Sequence, residues 1–432
     1  GAHELVDLLG DLLADPGHAI KTAFLPDIGD GAGRVGDRLG DVAVGPDFEG
    51  VLAEDVLAPG DVVEQGGKLG VREHVQRVPL PGSAKYNRRV VEVVANLHMH
   101  TPYSDGEWYH EDIAAAAERA GVDVIVVTDH NVLVRGLDGY IGRTLVLTGE
   151  EVHDPTRQPQ VSHCLIYEAG EELAPFGTQP QGLIDAANQR GGMAFLAHPF
   201  EVASPISMDA LAIPWDDWQV KRFRGIELWN CMSDFKAGLR NWPLAVFLAF
   251  FPSWGIRGPF GQTLRKWDEL LAAGHKVVAI GNADAHGTPY RAGPISRPVL
   301  AYDYLFRCVN THVLLSKPLS GNVAADRAAF FGAIGEGRCF VAYDLPASAR
   351  GFRFTASSGA ATAGMGESLV RGGVTKFRIE APASARLRLL RDGKVIAQRT
   401  GRALEWIDTA PGVYRAEASR FFRLAQRPWI YS

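Results

Sequence analysis

The stretch that decides the fold reads Asn-Leu-His-Met-His-Thr-Pro-Tyr-Ser-Asp-Gly, from Asn96 to Gly106. It follows a β-branched run at 90–95, which is typical of a buried strand. Side chains of a strand alternate between two faces, so His98 and His100 point the same way. Two imidazoles on one face suit a divalent cation better than a core, where each ring would need its own hydrogen-bond partner.

Five further apolar runs lie next to polar residues that could also bind a divalent cation. These residues are Asp129-His130-Asn131, Glu150-Glu151, His163, His198 and Asn282-Ala283-Asp284-Ala285-His286. Segments with helical spacing separate many of the strands, at 111–120, 181–190 and 261–273. This alternation predicts an α/β fold with a largely parallel sheet and crossover helices. A closed barrel would focus the polar strand ends on one mouth, whereas an open doubly wound sheet would spread them along a crevice.

The motifs HxH, SDG, TDHN, GEE, SHCLIY, AHPF and NADAHG, in this order, resemble the polymerase and histidinol phosphatase (PHP) superfamily, and within it the CehA/McbA-like metallohydrolase branch. The resemblance covers about Val90 to about Asp344. It implies a distorted seven-stranded (β/α) barrel, a TIM-like PHP fold, with two or three divalent metals at its mouth. A mixed nitrogen and oxygen ligand set suits Zn, Mn or Fe.

The resemblance also implies the ligands. One metal would be held by His98, His100, Glu151 and Asp284, a second by Glu151, His163 and His198, and a third by Asp105, His130 and His286. The family pattern selects Glu151 as the bridging carboxylate; if the register differs by one residue, Glu150 is the bridge instead. Asp129 is expected to be a structural hydrogen-bond acceptor, while His110 and His153 are expected to be surface residues and His312 to have no cluster around it.

This site predicts a metal-dependent hydrolase acting on a phosphoester, with metal-activated water as the nucleophile and no side-chain nucleophile. The chain has no Gly-x-Ser-x-Gly motif, Ser104 is expected in a turn, and strand alternation turns Cys164 away from the metals. Three residues are candidates for binding an anionic small-molecule substrate: Arg291, Arg297 and Asn230. The alternatives are a carboxylic ester or carbamate hydrolase, a nucleic-acid phosphodiesterase, and a barrel that only binds a partner.

Charge divides the chain into three predicted parts. Residues 1–88 form an acidic, Gly-rich extension, whose first 70 residues carry 14 acidic and 4 basic side chains. Residues 89–345 form the barrel, and residues 346–432, with 15 basic and 6 acidic side chains, form a small all-β sandwich. Alternating apolar and charged residues predict the strands of this last part, and Asp392-Gly393 predicts a hairpin. Residues 71–345 are net negative, which disfavours nucleic acid as a partner.

The remaining composition is that of an ordinary globular chain of 432 residues. The four cysteines lack the spacing of a disulfide scaffold or a zinc ribbon, which favours a reducing compartment and a cytoplasmic location. No apolar run approaches the length that spans a bilayer, so a membrane partner is not expected. Because the sequence begins at Gly1 without methionine, secretion or export to the periplasm stays open.

Overall fold

The computed structural model describes the backbone of residues 90–206, 211–292, 295–370 and 373–432, and the side chains of these residues except within 290–297. The described residues belong to one compact unit. The predicted acidic extension at 1–88 lies outside them.

The described part alternates strands and helices. The helices are α1 (His110–Ala120), α2 (Pro180–Gln189), α3 (Cys231–Gly238), α4 (Trp242–Phe250), α5 (Gly261–Ala272), α6 (Tyr302–Leu305) and α7 (Val323–Gly335). The first nine strands are β1 (Val91–Asn96), β2 (Val124–Val127), β3 (Gly139–Ile141), β4 (Thr144–Thr148), β5 (Glu150–Val152), β6 (Cys164–Tyr167), β7 (Met193–Leu196), β8 (Gly225–Asn230) and β9 (Val278–Asn282). The three helices predicted from spacing are α1, α2 and α5, and each predicted strand that leads to a polar motif is present.

Ten further strands follow in the chain. They are β10 (Pro289–Ala292), β11 (Ile295–Pro298), β12 (Val309–Leu315), β13 (Cys339–Tyr343), β14 (Arg353–Ser358), β15 (Ala361–Ala363), β16 (Thr375–Arg391), β17 (Lys394–Asp408), β18 (Tyr414–Phe422) and β19 (Ala425–Tyr431). β10 and β11 form a separate antiparallel hairpin.

Two sheets carry the motifs. In the larger sheet, β1 pairs in parallel with β2, and β2 in parallel with β4. In the smaller sheet the order is β5-β6-β7-β8-β9, with parallel pairing from β7 to β9 and antiparallel pairing of β6 with both neighbours. The chain is therefore a mixed α/β protein, and its sheets are less uniformly parallel than the strand–helix alternation predicted.

The two sheets meet at both ends of the smaller one. Only Gly149 separates β4 from β5, and beside it one isolated parallel bridge joins His130 to Glu151. At the other end, a parallel bridge joins Met99 to Ala285, and the amide of Asp284 donates to the carbonyl of His98 at 2.9 Å. These contacts connect the two sheets at both ends of the smaller one. A continuous hydrogen-bonded ladder that would close a barrel is not found among the described residues.

Apolar side chains form the core between the sheets and the helices that pack on them. α1 packs its alanine face on the sheet, with Ile113 and Ala117 fully buried. It ends at Gly121, which adopts a left-handed φ of 81° and donates its amide to a helix carbonyl, a conformation that favours glycine. Because the turn at Gly121 is tight, β2 begins only three residues later, at Val124. Asp129 and His130 follow shortly after the end of β2.

The carboxyl-terminal part is all-β, as the alternating pattern predicted. β14 and β16 to β19 are antiparallel neighbours, and the β16–β17 hairpin turns at Asp392-Gly393. These strands continue the larger sheet, because β19 pairs with β13. Phe340 of β13 shares a core with Phe352 and Trp429 of this part. Sequence alternation did not predict that shared sheet and core.

None of the described helices combines the length and apolarity required to cross a lipid bilayer.

Candidate metal centre

The polar motifs lie where strands of both sheets begin or end. His98 and His100 follow β1, His130 follows β2, and Glu151 lies in β5. The others are His163, directly before β6, His198, two residues after β7, and Asp284 and His286, which follow β9. Because the strands lie side by side, residues up to 188 positions apart in the chain come together at one place.

Glu151 lies at the centre of the cluster and is 1% exposed. Its Oε1 is 3.0 Å from Nδ1 of His163 and 3.1 Å from Nε2 of His198. Its Oε2 is 3.1 Å from Nε2 of His98, 3.2 Å from Nδ1 of His130 and 3.4 Å from Nε2 of His100. One carboxylate thus faces five imidazoles with both oxygens.

Two aspartates extend the cluster. Oδ1 of Asp284 lies 3.2 Å from Nε2 of His100 and 3.3 Å from Nε2 of His98. Oδ2 of Asp105 lies 3.4 Å from Nε2 of His286 and 3.6 Å from Nε2 of His130. Asp105 is 54% exposed in its side chain, whereas Asp284 is nearly buried, so Asp105 marks the solvent side of the cluster.

These distances fit a cation-binding arrangement. Zn–N and Zn–O bonds of about 2.1 Å place neighbouring ligand atoms about 3.0–3.4 Å apart in octahedral or tetrahedral geometry. Four groups bring one potential ligand atom each within 4.8 Å of the others: His98, His100 and Glu151; Glu151, His163 and His198; His100, Asp105, His130 and His286; and His130, His153 and His163. The first three groups overlap the three ligand sets that the family resemblance implies.

Unpartnered nitrogen atoms support the same interpretation. Nδ1 of His100 and Nε2 of His163 are buried and have no hydrogen-bond partner among the described residues. A lone pair on a buried imidazole is unfavourable without a donor or a cation. The donor set therefore fits divalent metals, and the chemistry of the group, nitrogen with carboxylate oxygen and no thiolate, fits Zn, Mn or Fe.

Electrostatics hold the carboxylates of the cluster ionised. Burial raises the pKa of Glu151, but the charges of His98, His163 and His130 outweigh it and bring the pKa well below the ordinary value. The pKa of Asp284 is also lowered well below its usual range, since His98 and His100 outweigh burial. Burial lowers the pKa of His286, but the bond to Asp105 raises it to about 9. An imidazole must lose its proton to bind metal, so metal uptake at this site should release protons.

Glu227 of β8 orients the first histidine, and the sequence analysis did not identify it. Its Oε1 lies 3.0 Å from Nδ1 of His98, which leaves Nε2 of that ring facing Glu151. Its Oε2 accepts the backbone amide of His198 at 2.9 Å, and Asn282 donates to Oε1 at 3.0 Å. Carboxylates that fix the tautomer of a metal-binding histidine are a recurrent feature of such centres. A glutamate within the largely apolar run Gly-Ile-Glu-Leu-Trp-Asn was the available sequence signal, because a charged residue is rarely buried without a partner.

Asn230 lies beside the site, and both N–H groups of its side-chain amide already donate to other side chains. Nδ2 donates to Oε2 of Glu227 at 2.9 Å and to Oδ2 of Asp284 at 3.0 Å. Oδ1 accepts the backbone amide of Ser233 and caps α3. Because both N–H groups of Asn230 already donate hydrogen bonds, its side chain positions Asp284. It has no free N–H donor for the predicted contact with substrate.

The structure places Glu150 on the opposite face of β5 from Glu151. Oε1 of Glu150 accepts the backbone amide of Leu173 at 2.7 Å, and the side chain touches none of the clustered histidines within hydrogen-bond distance. Burial raises the pKa of Glu150 to about 7. Of the two adjacent glutamates, Glu151 is therefore the one in position to bridge metals.

The expectation that His153 and His110 are surface residues is wrong, since they are 5% and 2% exposed. His153 lies two residues after Glu151 and projects on the same side, where its ring stacks on that of His163 with centroids 4.2 Å apart. Asn131 contacts both ring nitrogens of His153, at 3.5 and 3.3 Å. The two-residue strand period was the signal for this placement.

Asp129 acts as the predicted structural acceptor. Its carboxylate accepts hydrogen bonds from the amide and hydroxyl of Thr101 and from the hydroxyl of Ser104, each at 2.7 Å. This holds the turn that carries Asp105 beside the histidines. Cys164 is fully buried in the core, on the other side of its strand from Glu151's partner His163.

Arg291 and Arg297 lie on the β10–β11 hairpin, where Tyr290 pairs with Arg297 and Arg291 with Ser296. The hairpin begins three residues after His286. The side chains of both arginines lie outside the described part of the structure, so their contact with substrate stays a prediction.

Comparisons with known proteins find only distant sequence and structural similarity. No family model matches the chain. An uncharacterized protein of Methanocaldococcus jannaschii is 28% identical over 128 residues, covering 26% of this chain and 69% of that protein. A two-domain protein from Bacteroides vulgatus, described as containing a predicted PHP-like metal-dependent phosphoesterase, matches 79% of this chain and 94% of its own at 14% identity, with a TM-score of 0.37.

A second solved structure, from Bifidobacterium adolescentis, is described as a candidate metal-dependent phosphoesterase. It matches 47% of this chain and 92% of its own at 14% identity, with a TM-score of 0.29.

Proposed function

We propose that this protein is a metal-dependent hydrolase that directs an activated water molecule at a phosphoester. The observation that carries the proposal is the Glu151 carboxylate, which faces five imidazoles at 3.0–3.4 Å with both oxygens. Such an arrangement is suited to a carboxylate that bridges two cations. Divalent ions bound there would lower the pKa of a water molecule to near neutrality and polarise a phosphoryl or carbonyl oxygen.

The protein's own residues would hold the ions and fix their ligands in place. His98, His100, Glu151 and Asp284 would hold one ion, Glu151, His163 and His198 a second, and Asp105, His130 and His286 a third. Glu227 fixes the ring of His98, and Asn230 fixes Asp284. Because these partners are buried and hydrogen-bonded, the ligands are preorganised before an ion arrives.

The positive charge of the bound ions would favour an anionic substrate. Clustered cations attract a phosphoryl group, and bidentate arginines recognise its oxygens, which assigns Arg291 and Arg297 as candidate substrate contacts. The exposed side of the cluster is at Asp105, so substrate would approach from there. We also infer a distorted seven-stranded barrel of the PHP type, made of β1, β2, β4 with β5, β6, β7, β8 and β9 and supported by the isolated bridges that join the two sheets.

A panel assay tests this proposal. The metal-loaded protein is incubated with phosphomonoesters, phosphodiesters, carboxylic esters and carbamates, beside Glu151→Gln and the surface control Glu269→Gln. We expect turnover of a phosphoester by wild type and by Glu269→Gln, and none by Glu151→Gln. Turnover restricted to carboxylic esters or carbamates would correct the substrate class, and absence of any metal-dependent turnover would contradict the proposal.

A further inference from the structure

The outer side of α4 is an apolar face that is open to solvent. Every residue of α4 is apolar, yet only Ala245 and Leu248 of this helix are buried. A helix that is apolar on all sides is normally buried on all sides. Phe247 and, directly after the helix, Phe251 are 40% and 53% exposed, and their rings lie 5.1 Å apart. Exposed apolar side chains that lie together mark a contact with another molecule more often than single ones do.

The turn between β18 and β19 continues this face. Arg423 in the turn donates from Nε to Oγ of Ser253 at 2.9 Å, and its guanidinium lies 5.9 Å from the ring of Trp254. The Trp254 ring lies 5.9 Å from the ring of Phe247. On either side of Arg423, two apolar residues of the turn are 71% and 79% exposed. The exposed apolar surface thus consists of Phe247, Phe251, Phe421 and Leu424.

Leu424 occupies a position that does not favour leucine. It is the second residue of a two-residue turn and has a left-handed φ of 60°, a conformation that favours glycine or asparagine. Because the side chain is so exposed, it contributes little to the core of the protein. An apolar side chain at the tip of a turn is suited to entering an apolar phase outside the protein.

The charge near this surface is positive. Residues 235–267 carry five basic and no acidic side chains, and residues 418–432 carry three basic and none acidic. Arg240, Arg257 and Arg423 are exposed, and within the described parts of the chain none of them forms an ion pair with a carboxylate. Asp234 approaches Arg257 from the protein interior, where its buried carboxylate accepts the amides of Arg257 and Gly258. An anionic partner would therefore be attracted.

We propose that the exposed apolar surface binds the surface of a membrane that carries anionic lipids. Its four apolar side chains would enter the boundary between headgroups and acyl chains, and Arg240, Arg257 and Arg423 would lie at the lipid phosphates. The sequence disfavoured a membrane partner because it lacks an apolar run that spans a bilayer, and binding at the surface needs no such run. This contact involves none of the residues placed in the metal centre and does not depend on the proposed hydrolase activity.

Co-sedimentation with lipid vesicles tests the proposal on the full chain. Vesicles of phosphatidylcholine mixed with phosphatidylglycerol should bind wild type saturably, more tightly than vesicles of phosphatidylcholine alone, and added NaCl should weaken this binding. Leu424→Asp should weaken it about tenfold or more, because the variant loses an apolar contact and gains a charge of the same sign as the lipid. The matched control is Val370→Asp, at a 90% exposed valine between β15 and β16, and it should bind as wild type does.

A second variant separates charge from apolar contact. The double variant Arg240→Gln with Arg257→Gln keeps the four apolar side chains, so it should reduce the preference for phosphatidylglycerol and leave binding to phosphatidylcholine alone unchanged. Circular dichroism checks that each variant is folded. The proposal is overturned if mixed vesicles do not sediment wild type, if Leu424→Asp binds them as wild type does, or if Val370→Asp weakens binding equally. Absence of vesicle binding together with a dimer that Leu424→Asp dissociates, measured by analytical ultracentrifugation, would instead assign the surface to a second copy of the chain.

Discussion

Oε1 of Glu227 lies 3.0 Å from Nδ1 of His98, and both side chains are essentially inaccessible to solvent. This contact decides which nitrogen of His98 is presented to Glu151 and to a bound ion. Burial raises the pKa of Glu227, but the charge of His98 and their hydrogen bond outweigh it and bring the pKa below its ordinary value. The carboxylate is therefore ionised near neutral pH, and its Oε1 orients the ring of His98.

Replacing Glu227 by glutamine tests this orientation. The amide keeps the volume but removes the charge, and one of its ends would present N–H groups to Nδ1 of His98. We expect metal affinity to fall about 10- to 100-fold, the range typical for loss of such a partner. Competition titrations with a chromophoric chelator measure the affinity, with Glu269→Gln as the control. An unchanged affinity would contradict the orienting role.

The two adjacent glutamates of β5 make a matched pair for a second prediction. We expect two to three divalent transition metals per chain by elemental analysis after purification without chelator. Glu151→Ala should lower this number and abolish activity, because it removes the carboxylate that faces five histidines. Glu150→Ala should keep the metal content, since that side chain projects to the opposite face. Metal content below one per chain with no uptake on reconstitution would contradict the cluster, and the reverse order of the two variants would identify Glu150 as the bridge.

Much of the site could be predicted from the sequence because its candidate metal ligands lie at the ends of strands. Periodicity gave β1, β2, β4, β7 and β9, and each leads to a residue that now lies within hydrogen-bond distance of another. The choice of Glu151 over Glu150 needed the family resemblance, since alternation alone sends one of the two to each face without saying which.

Other features were missed for physical reasons. Glu227 is flanked by apolar residues in sequence, a pattern that indicates only a buried strand, and the fold alone shows that His98 is its partner. The pairing of β13 with β19 joins residues about 90 positions apart, and local patterns carry no information about such contacts. The barrel was expected to close, but at the two ends of β5–β9 single bridges replace a ladder.

The expectation that His312 has no cluster around it is also wrong. Its Nδ1 lies 2.8 Å from Oε1 of Glu92, and its Nε2 lies 2.9 Å from Oδ2 of Asp344. Burial lowers the pKa of His312, but Asp344 and Glu92 outweigh it and raise the pKa to about 9. The buried imidazolium thus links β1, β12 and the end of β13, and Glu92 also binds Arg353 of β14 at 2.6 Å.

This linkage predicts how stability depends on pH. Because the folded-state pKa lies above the unfolded value of about 6.5, the stabilisation is fully present below pH 6.5 and is lost as pH rises through 9. The shift corresponds to roughly 3 kcal/mol at most. Urea unfolding of wild type and His312→Gln at pH 6.5, 8 and 9.5 measures it, and we expect the difference in free energy of unfolding to shrink towards pH 9.5. The exposed His275→Gln serves as the control, and a difference that does not vary with pH would contradict the charged state of His312.

The mechanism gives the last prediction, which separates activated water from covalent catalysis. With water as the nucleophile, one turnover in ¹⁸O-labelled water should place the label directly in the product acid or phosphate, with no enzyme-bound intermediate. Ser104→Ala and Cys164→Ala should each retain most of the rate, because the Ser104 hydroxyl donates to Asp129 and Cys164 is buried in the core. His130→Ala and His286→Ala should lower kcat substantially, since they remove imidazoles that lie 3.6 and 3.4 Å from Asp105. Mass spectrometry of quenched turnover mixtures detects an adduct directly, and one found on Ser104 or Cys164 would replace the water mechanism with a covalent one.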